Sequence, residues 1–98
     1  MIRVEATACF RQWIDALRDR EGRARILVRI DRLAHGNPGQ HRYLSGGVSE
    51  LKIDAGPGYR IYYMHRGSRL IVLLAGGDKS SQARDVATAL RLARSLAE

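Results

Sequence analysis

Residues 47–82, GVSELKIDAGPGYRIYYMHRGSRLIVLLAGGDKSSQ, carry the pattern that decides the fold. VSELKID alternates polar and apolar side chains, and the AGPG that follows is turn chemistry. GYRIYYMHR comes next, rich in aromatic and branched residues. RGS then turns the chain again, ahead of the apolar run LIVLLA. Period-two alternation bounded by Gly and Pro is the signal of strands joined by hairpins, so the stretch reads as a three-stranded meander. A short continuous apolar run beside glycine reads as a central strand covered on both faces.

Outward from the meander, HRYLS at His41–Ser45 reads as a further strand before a Gly46-Gly47 turn. At the N-terminus, Ile2–Glu5 fits an edge strand, and Thr7 is a candidate helix N-cap. Phe10, Trp13, Ile14 and Leu17 follow the i, i+3, i+4, i+7 rule, predicting a first amphipathic helix of about four turns that Gly22 breaks. Ile26, Leu27, Ile30, Leu33 and Ala34 predict a second, stopped by Gly36, Asn37 and Pro38. Together these predict an antiparallel helical hairpin. Gly76 and Gly77 read as a turn after the last strand. Ser80 or Ser81 would then cap a final helix whose apolar stripe is Val86, Leu90, Ala93 and Ala97, supported by Ala89 and Leu96. The expectation is one α+β domain spanning residues 1–98.

Composition narrows the function. The chain has 98 residues, 45% hydrophobic and 28% charged, which suits one modest core. No apolar run approaches the roughly 20 residues of a membrane helix, and MIRVEATACFRQW holds no uninterrupted apolar h-region. With Cys9 as the single cysteine, the simplest setting is the cytoplasm. Net charge is +7, and 15 of the 17 basic residues are arginine, all but Lys52 and Lys79. Such a balance points to a polyanionic partner: nucleic acid, an acidic protein or a membrane surface. Arg25, Arg29 and Arg32 recur at i, i+4, i+7, with Arg23 nearby. They form a guanidinium face that is either simply solvated or a surface for RNA phosphates or an acidic segment.

Metal chemistry is not indicated. His35, His41 and His65 lack ligand spacing, and Cys9 has no CxxC partner. No GxSxG or P-loop pattern is present. A cationic set on the sheet remains. Alternation places Leu51 and Ile53 on one face and Glu50, Lys52 and Asp54 on the other; Arg60, Tyr62 and Met64 share a face in the next strand. Lys52 and Arg60 therefore point out together, and Lys79 after the last strand can reach the same concavity. Arg and Lys suit the charge stabilisation that RNA cleavage by the ribose 2′-hydroxyl requires. For the general base, Glu50, His65, Tyr62 and Asp85 stand as alternatives.

Three segments carry a resemblance: FRQWIDALRDREGRARILVRIDRLAHGNPG, GVSELKIDAGPGYRIYY and LLAGGDKSSQARDVATAL. In them the chain resembles the RelE/ParE superfamily of toxins of type II toxin–antitoxin modules, within it the phage-derived HigB-like group of addiction module killer proteins. The resemblance covers nearly the whole chain. It implies a RelE-like fold, with an N-terminal helical hairpin packed on a four-stranded, mostly antiparallel sheet; the C-terminal helix read here departs from the minimal pattern in being longer. It implies an antitoxin partner with a helix-turn-helix domain, a hetero-oligomer of the two, and cleavage of mRNA on the ribosome by a metal-independent, cofactor-free endoribonuclease. By motif position Lys52, Arg60 and Lys79 match the catalytic basic residues; the candidate RNA contacts, Arg25, Arg29, Arg32 and Tyr62, are read from the residues themselves. One departure stands out. The tyrosine that often follows the last basic position is missing from SSQARDV, where Asp85 lies nearest. ParE-type relatives share the fold and inhibit DNA gyrase instead, and a non-toxic corepressor of the antitoxin is a third reading.

Overall fold

The structure, a computed structural model, describes residues 1–97. The chain runs β1 (Arg3–Ala6), α1 (Ala8–Ala16), α2 (Arg20–Ala34), β2 (His41–Ser45), β3 (Val48–Ile53), β4 (Tyr59–Arg66) and β5 (Leu70–Gly77). A 3₁₀ turn (Lys79–Ser81) then leads into α3 (Gln82–Ala97). The strands form one sheet in the order β1-β5-β4-β3-β2. It is five-stranded and mixed rather than four-stranded, because β1 adds to β5 in parallel, pairing Arg3 with Leu70 and Ala6 with Leu73. The β2–β3, β3–β4 and β4–β5 ladders are antiparallel.

Both faces of the sheet are covered. On one, Phe10 and Ile14 of α1 and Ile26 and Leu33 of α2 meet Leu51, Ile53, Tyr59, Ile61, Tyr63, Ile71 and Leu73. On the other, Ala89 and Ala93 of α3 pack with Val48, Tyr62, Val72, Leu74 and Ala75. This three-layer arrangement explains why β5 reads as an unbroken apolar run: its side chains meet helices on both sides.

The helices depart from the expected hairpin. α1 ends at Ala16, nearly two turns short of the predicted break, and the backbone N–H of Leu17 caps it by donating to Ile14 O. α2 starts before Gly22, because Asp19 is its N-cap: the carboxylate accepts from Gly22 N at 3.0 Å. Gly22 is thus a packing glycine in a first turn. A Cβ there would lie 2.5 Å from the Tyr59 ring and 2.6 Å from Asp19 Oδ2. α1 rests on β5 and β1 while α2 rests on β3, so each helix docks on the sheet instead of chiefly on its neighbour. Leu27, expected in the core, is 49% exposed because it lies off the buried stripe of Gly22, Ile26, Leu33 and Ala34.

Gly76 and Gly77 are the last residues of β5, not a turn. A Cβ on Gly76 would enter the Trp13 ring, and one on Gly77 would strike Asp85 and Ser81. The helical start after β5 is capped by Asp78, not by Ser80 or Ser81. Asp78 Oδ1 accepts from Ser80 N at 2.8 Å, and Ser81 Oγ reciprocates on Asp78 N at 3.4 Å, completing a capping box.

Gly76→Ala overpacks the contact with Trp13, so it should lower stability by about 1–3 kcal/mol in urea unfolding; an unchanged midpoint would refute the close approach. Asp19 also accepts from the Tyr59 hydroxyl at 2.8 Å. The Gly22 N–H, then that hydroxyl, hold its carboxyl below the ordinary range, while burial and Asp19 push Tyr59 up to about 12. A depressed carboxyl contributes stability above its unfolded pKa and loses it as pH falls. Asp19→Asn, which keeps a capping oxygen, should therefore flatten the loss of stability below about pH 4. Parallel acid limbs for the two proteins would contradict the linkage.

Candidate functional site

The β3–β4 register sets Lys52 opposite Arg60 and Glu50 opposite Tyr62, all on the α3 side of the sheet. Glu50 and Arg60 are both buried, at 3% and 7% exposure. A buried carboxylate needs partners in place of its lost water. Glu50 Oε1 lies 3.4 Å from Arg42 Nε and 3.8 Å from Arg60 Nε, and Oε2 accepts from Gln82 Nε2 at 3.2 Å. Arg60 Nη1 donates to Gly58 O at 3.1 Å. Its Nε is buried with no hydrogen-bond partner, since the approach to Glu50 is too long to count as a bond.

These side chains border a polar cleft of about 290 Å³ lined by Gln40, His41, Arg42, Glu50, Lys52, Arg60 and Gln82. Lys79 stands just outside it. Arg60 Nη1 and Lys79 Cβ lie 3.6 and 3.9 Å from where a Gly58 side chain would begin, ordinary contact distances that place both residues beside Gly58. Lys52, Arg60 and Lys79 are therefore brought to one end of the sheet, beside the first turn of α3.

The remaining candidates lie elsewhere. Tyr62 is fully buried under Ala89 and Ala93, so it offers no ring to RNA. The sequence reading left this face open; α3 closes it. Burial, reinforced by the charges of Glu50 and Asp85, pushes the Tyr62 hydroxyl well above its usual range. Arg29 is not a solvent-facing contact either. Nη1 donates to Lys52 O at 2.7 Å and Nη2 to Pro38 O and Gln40 O, both at 2.9 Å. Its guanidinium ties α2 to β3 and to the segment entering β2. Arg25 and Arg32 stay exposed on α2, with Arg25 Nη2 3.3 Å from Glu21. Of the candidate bases, Glu50 is held by the arginines and Gln82. Asp85 Oδ2 accepts from Ser81 Oγ at 2.5 Å. His65 is exposed beside Tyr63, their ring centroids 6.0 Å apart, with Tyr63 in the opposite core layer.

Arg42 and Gln82 are site residues that sequence patterning missed. A plain two-residue turn at Gly46-Gly47 would set Arg42 opposite Leu51. The ladder shifts between Tyr43 and Ser45, where Leu44 is an extra residue, and this brings Arg42 opposite Glu50. Among the described residues, no three His, Cys, Asp or Glu side chains cluster as a metal site.

The chain matches the family model described as Phage derived protein Gp49-like (DUF891) over residues 12–97. It belongs to that phage-derived family, which is associated with toxin–antitoxin modules. It is also 40% identical over 95 residues to a Haemophilus influenzae protein described as uncharacterized, an alignment covering 97% of this chain and 96% of the relative.

The two arginines of α2 should separate experimentally. Arg29→Ala removes three carbonyl partners and should cost about 2–3 kcal/mol in urea unfolding. Arg32→Ala should stay within about 0.5 kcal/mol of wild type. Equal stabilities would mean that Arg29 is not a staple.

Proposed function

We propose that this Gp49-like protein is the toxin of a type II toxin–antitoxin module and acts as an endoribonuclease on mRNA engaged with the ribosome, until its antitoxin binds it. The observation that carries the reading is the convergence of Arg60, Lys52 and Lys79 beside a polar cleft, with Arg60 incompletely partnered. With one backbone bond from Nη1, the guanidinium keeps Nη donors for a phosphate oxygen at the cleft it lines, while its Nε stays buried.

The ribose 2′-oxygen attacks the adjacent phosphorus, its proton leaves to a base, and the bond to the 5′-oxygen breaks. The products are a 2′,3′-cyclic phosphate and a 5′-hydroxyl. Arg60 and Lys79 offset the negative charge that builds on the phosphate oxygens. Lys52 orients the RNA or assists the proton's passage to the leaving oxygen. Glu50 positions Arg60 and is too committed to Arg42 and Gln82 to serve freely as base. A protein that stabilises charge without an uncommitted base fits an activity completed only in the ribosomal A site.

The commitment of Glu50 and Asp85 to partners and the burial of Tyr62 favour a second reading, a ParE-like inhibitor of DNA gyrase that needs no base. Induction in cells separates the two. Wild-type protein should arrest growth with reporter mRNA cut and plasmid supercoiling unchanged. Arg60→Ala and Lys79→Ala, shown by circular dichroism to be folded, should each lose at least about tenfold in toxicity, since one charge-stabilising donor is worth several kcal/mol. Arrest by Arg60→Ala at wild-type potency would sink the nuclease reading, and relaxed plasmids with intact mRNA would install gyrase as the target.

A further inference from the structure

α2 carries two apolar stripes, and its own chain buries only one. Gly22, Ile26, Leu33 and Ala34 face the sheet. Ala24, Leu27 and Val28, at i, i+3 and i+4, lie on the solvent side, with Leu27 and Val28 each 49% exposed. Helical propensity does not require this second stripe, because the polar residues common on helix surfaces, Lys, Glu, Gln and Arg, propagate a helix better than Val. Along it runs a groove of about 390 Å³ between α2 and the end of β3, where Ala24, Val28 and Ile53 supply apolar lining. Arg25, Arg29 and Arg32 stand on its walls with Glu21 and Asp54 as the acids. Arg29 is spent on backbone carbonyls. Arg25 holds an exposed contact with Glu21 that a better carboxylate can replace, and Arg32 meets no carboxylate among the described residues.

We infer that this groove is a docking surface for an acidic amphipathic helix of a partner protein, with the partner's aliphatic residues against Ala24 and Val28 in the groove and the exposed Leu27 on the helix beside it, and its carboxylates on Arg25 and Arg32. The inference rests on the toxin–antitoxin part of the proposed function, where such a segment belongs to the antitoxin, and is independent of RNA cleavage. Charge complementarity selects the occupant. A chain of net charge +7 repels a second copy of itself across an arginine-walled face. Nucleic acid would use the arginines and leave the aliphatic centre without a match, whereas a helix laid in a groove uses both. The cationic rim supplies rapid association and selectivity, and the apolar centre supplies affinity. Arg25 and Arg32, candidates for RNA contact by sequence, thereby become partner contacts, well apart from the cleft at Arg60.

The test is fluorescence polarisation with a labelled 18-residue peptide carrying Leu at i, i+3, i+4 and i+7 and Glu on the flanks. Two controls are a scrambled peptide of the same composition and a peptide with Gln for Glu. The full chain should bind the amphipathic peptide at least tenfold more tightly than either control. Leu27→Glu with Val28→Glu should weaken binding at least tenfold, and Arg25→Ala with Arg32→Ala should do so by a similar factor that shrinks as salt rises. These positions are exposed, so the variants should keep the wild-type circular dichroism spectrum. Arg60→Ala should bind as wild type does, and failure of wild-type protein to cut RNA would leave the binding result standing. Equal binding of the scrambled peptide, or no binding of the amphipathic one, would overturn the inference. So would a concentration-dependent dimer that Leu27→Glu and Val28→Glu dissolve, or displacement of the peptide by a single-stranded RNA whose own binding those substitutions abolish.

Discussion

A single buried carboxylate organises one end of this molecule. Glu50 on β3 meets Arg42 of β2, Arg60 of β4 and Gln82 of α3, so one side chain draws three strands and the last helix together. Taking such a charge from water is costly, and removing any partner leaves the others uncompensated. The arrangement therefore specifies register and helix docking more than it adds net stability. It also sets the chemistry. Arg60 is drawn inward by Glu50 and Gly58 O yet left with an unpaired Nε. Lys52 and Lys79 flank it without carboxylate partners among the described residues.

The end of β5 shows how tightly the layers close around that site. Gly76 gives room to Trp13 of α1 on one face, and Gly77 gives room to Ser81 and Asp85 on the other. Side chains at either position would push a helix away from the sheet. Farther along α3, Ala89 and Ala93 bring the helix down onto Tyr62. Close packing of small residues over a tyrosine turns what would have been an open basic sheet surface into a narrow cleft at one edge. Thr7 contributes at Leu74, two residues before Gly76 in β5. It caps α1 by accepting from Phe10 N at 3.1 Å and donates to Leu74 O at 2.7 Å, fastening the helix start to the strand.

Much of this was legible in the residues. The meander from Val48 to Ala75 followed from alternation and turn chemistry, and Lys52 beside Arg60 followed from alternation alone, whereas Gly76 and Gly77 read as a turn and proved to end β5. Other features depend on contacts distant in sequence. Gly22 looks like a breaker until Tyr59 is placed against it, and Arg29 looks like a member of a charged face until its carbonyl partners on Pro38, Gln40 and Lys52 are in position. Tyr62 looks exposed when the meander is considered without α3. The Arg42–Glu50 pairing hangs on one extra residue at Leu44, a shift that hydrophobic patterning does not encode. Leu27 is instructive in another way. Its apolar character suggested the core, whereas its helical angle put it on the solvent side next to Val28.

The central claim is that the cationic cleft around Arg60 acts on RNA within the ribosome. Primer extension on a reporter mRNA in a reconstituted translation system tests it most directly, with purified protein added in the presence and absence of ribosomes. Cuts at A-site codons that require ribosomes, leave a 5′-hydroxyl on the downstream fragment and vanish with Arg60→Ala are the predicted result. Full-length mRNA, from protein that is folded and arrests growth in cells, would contradict the claim.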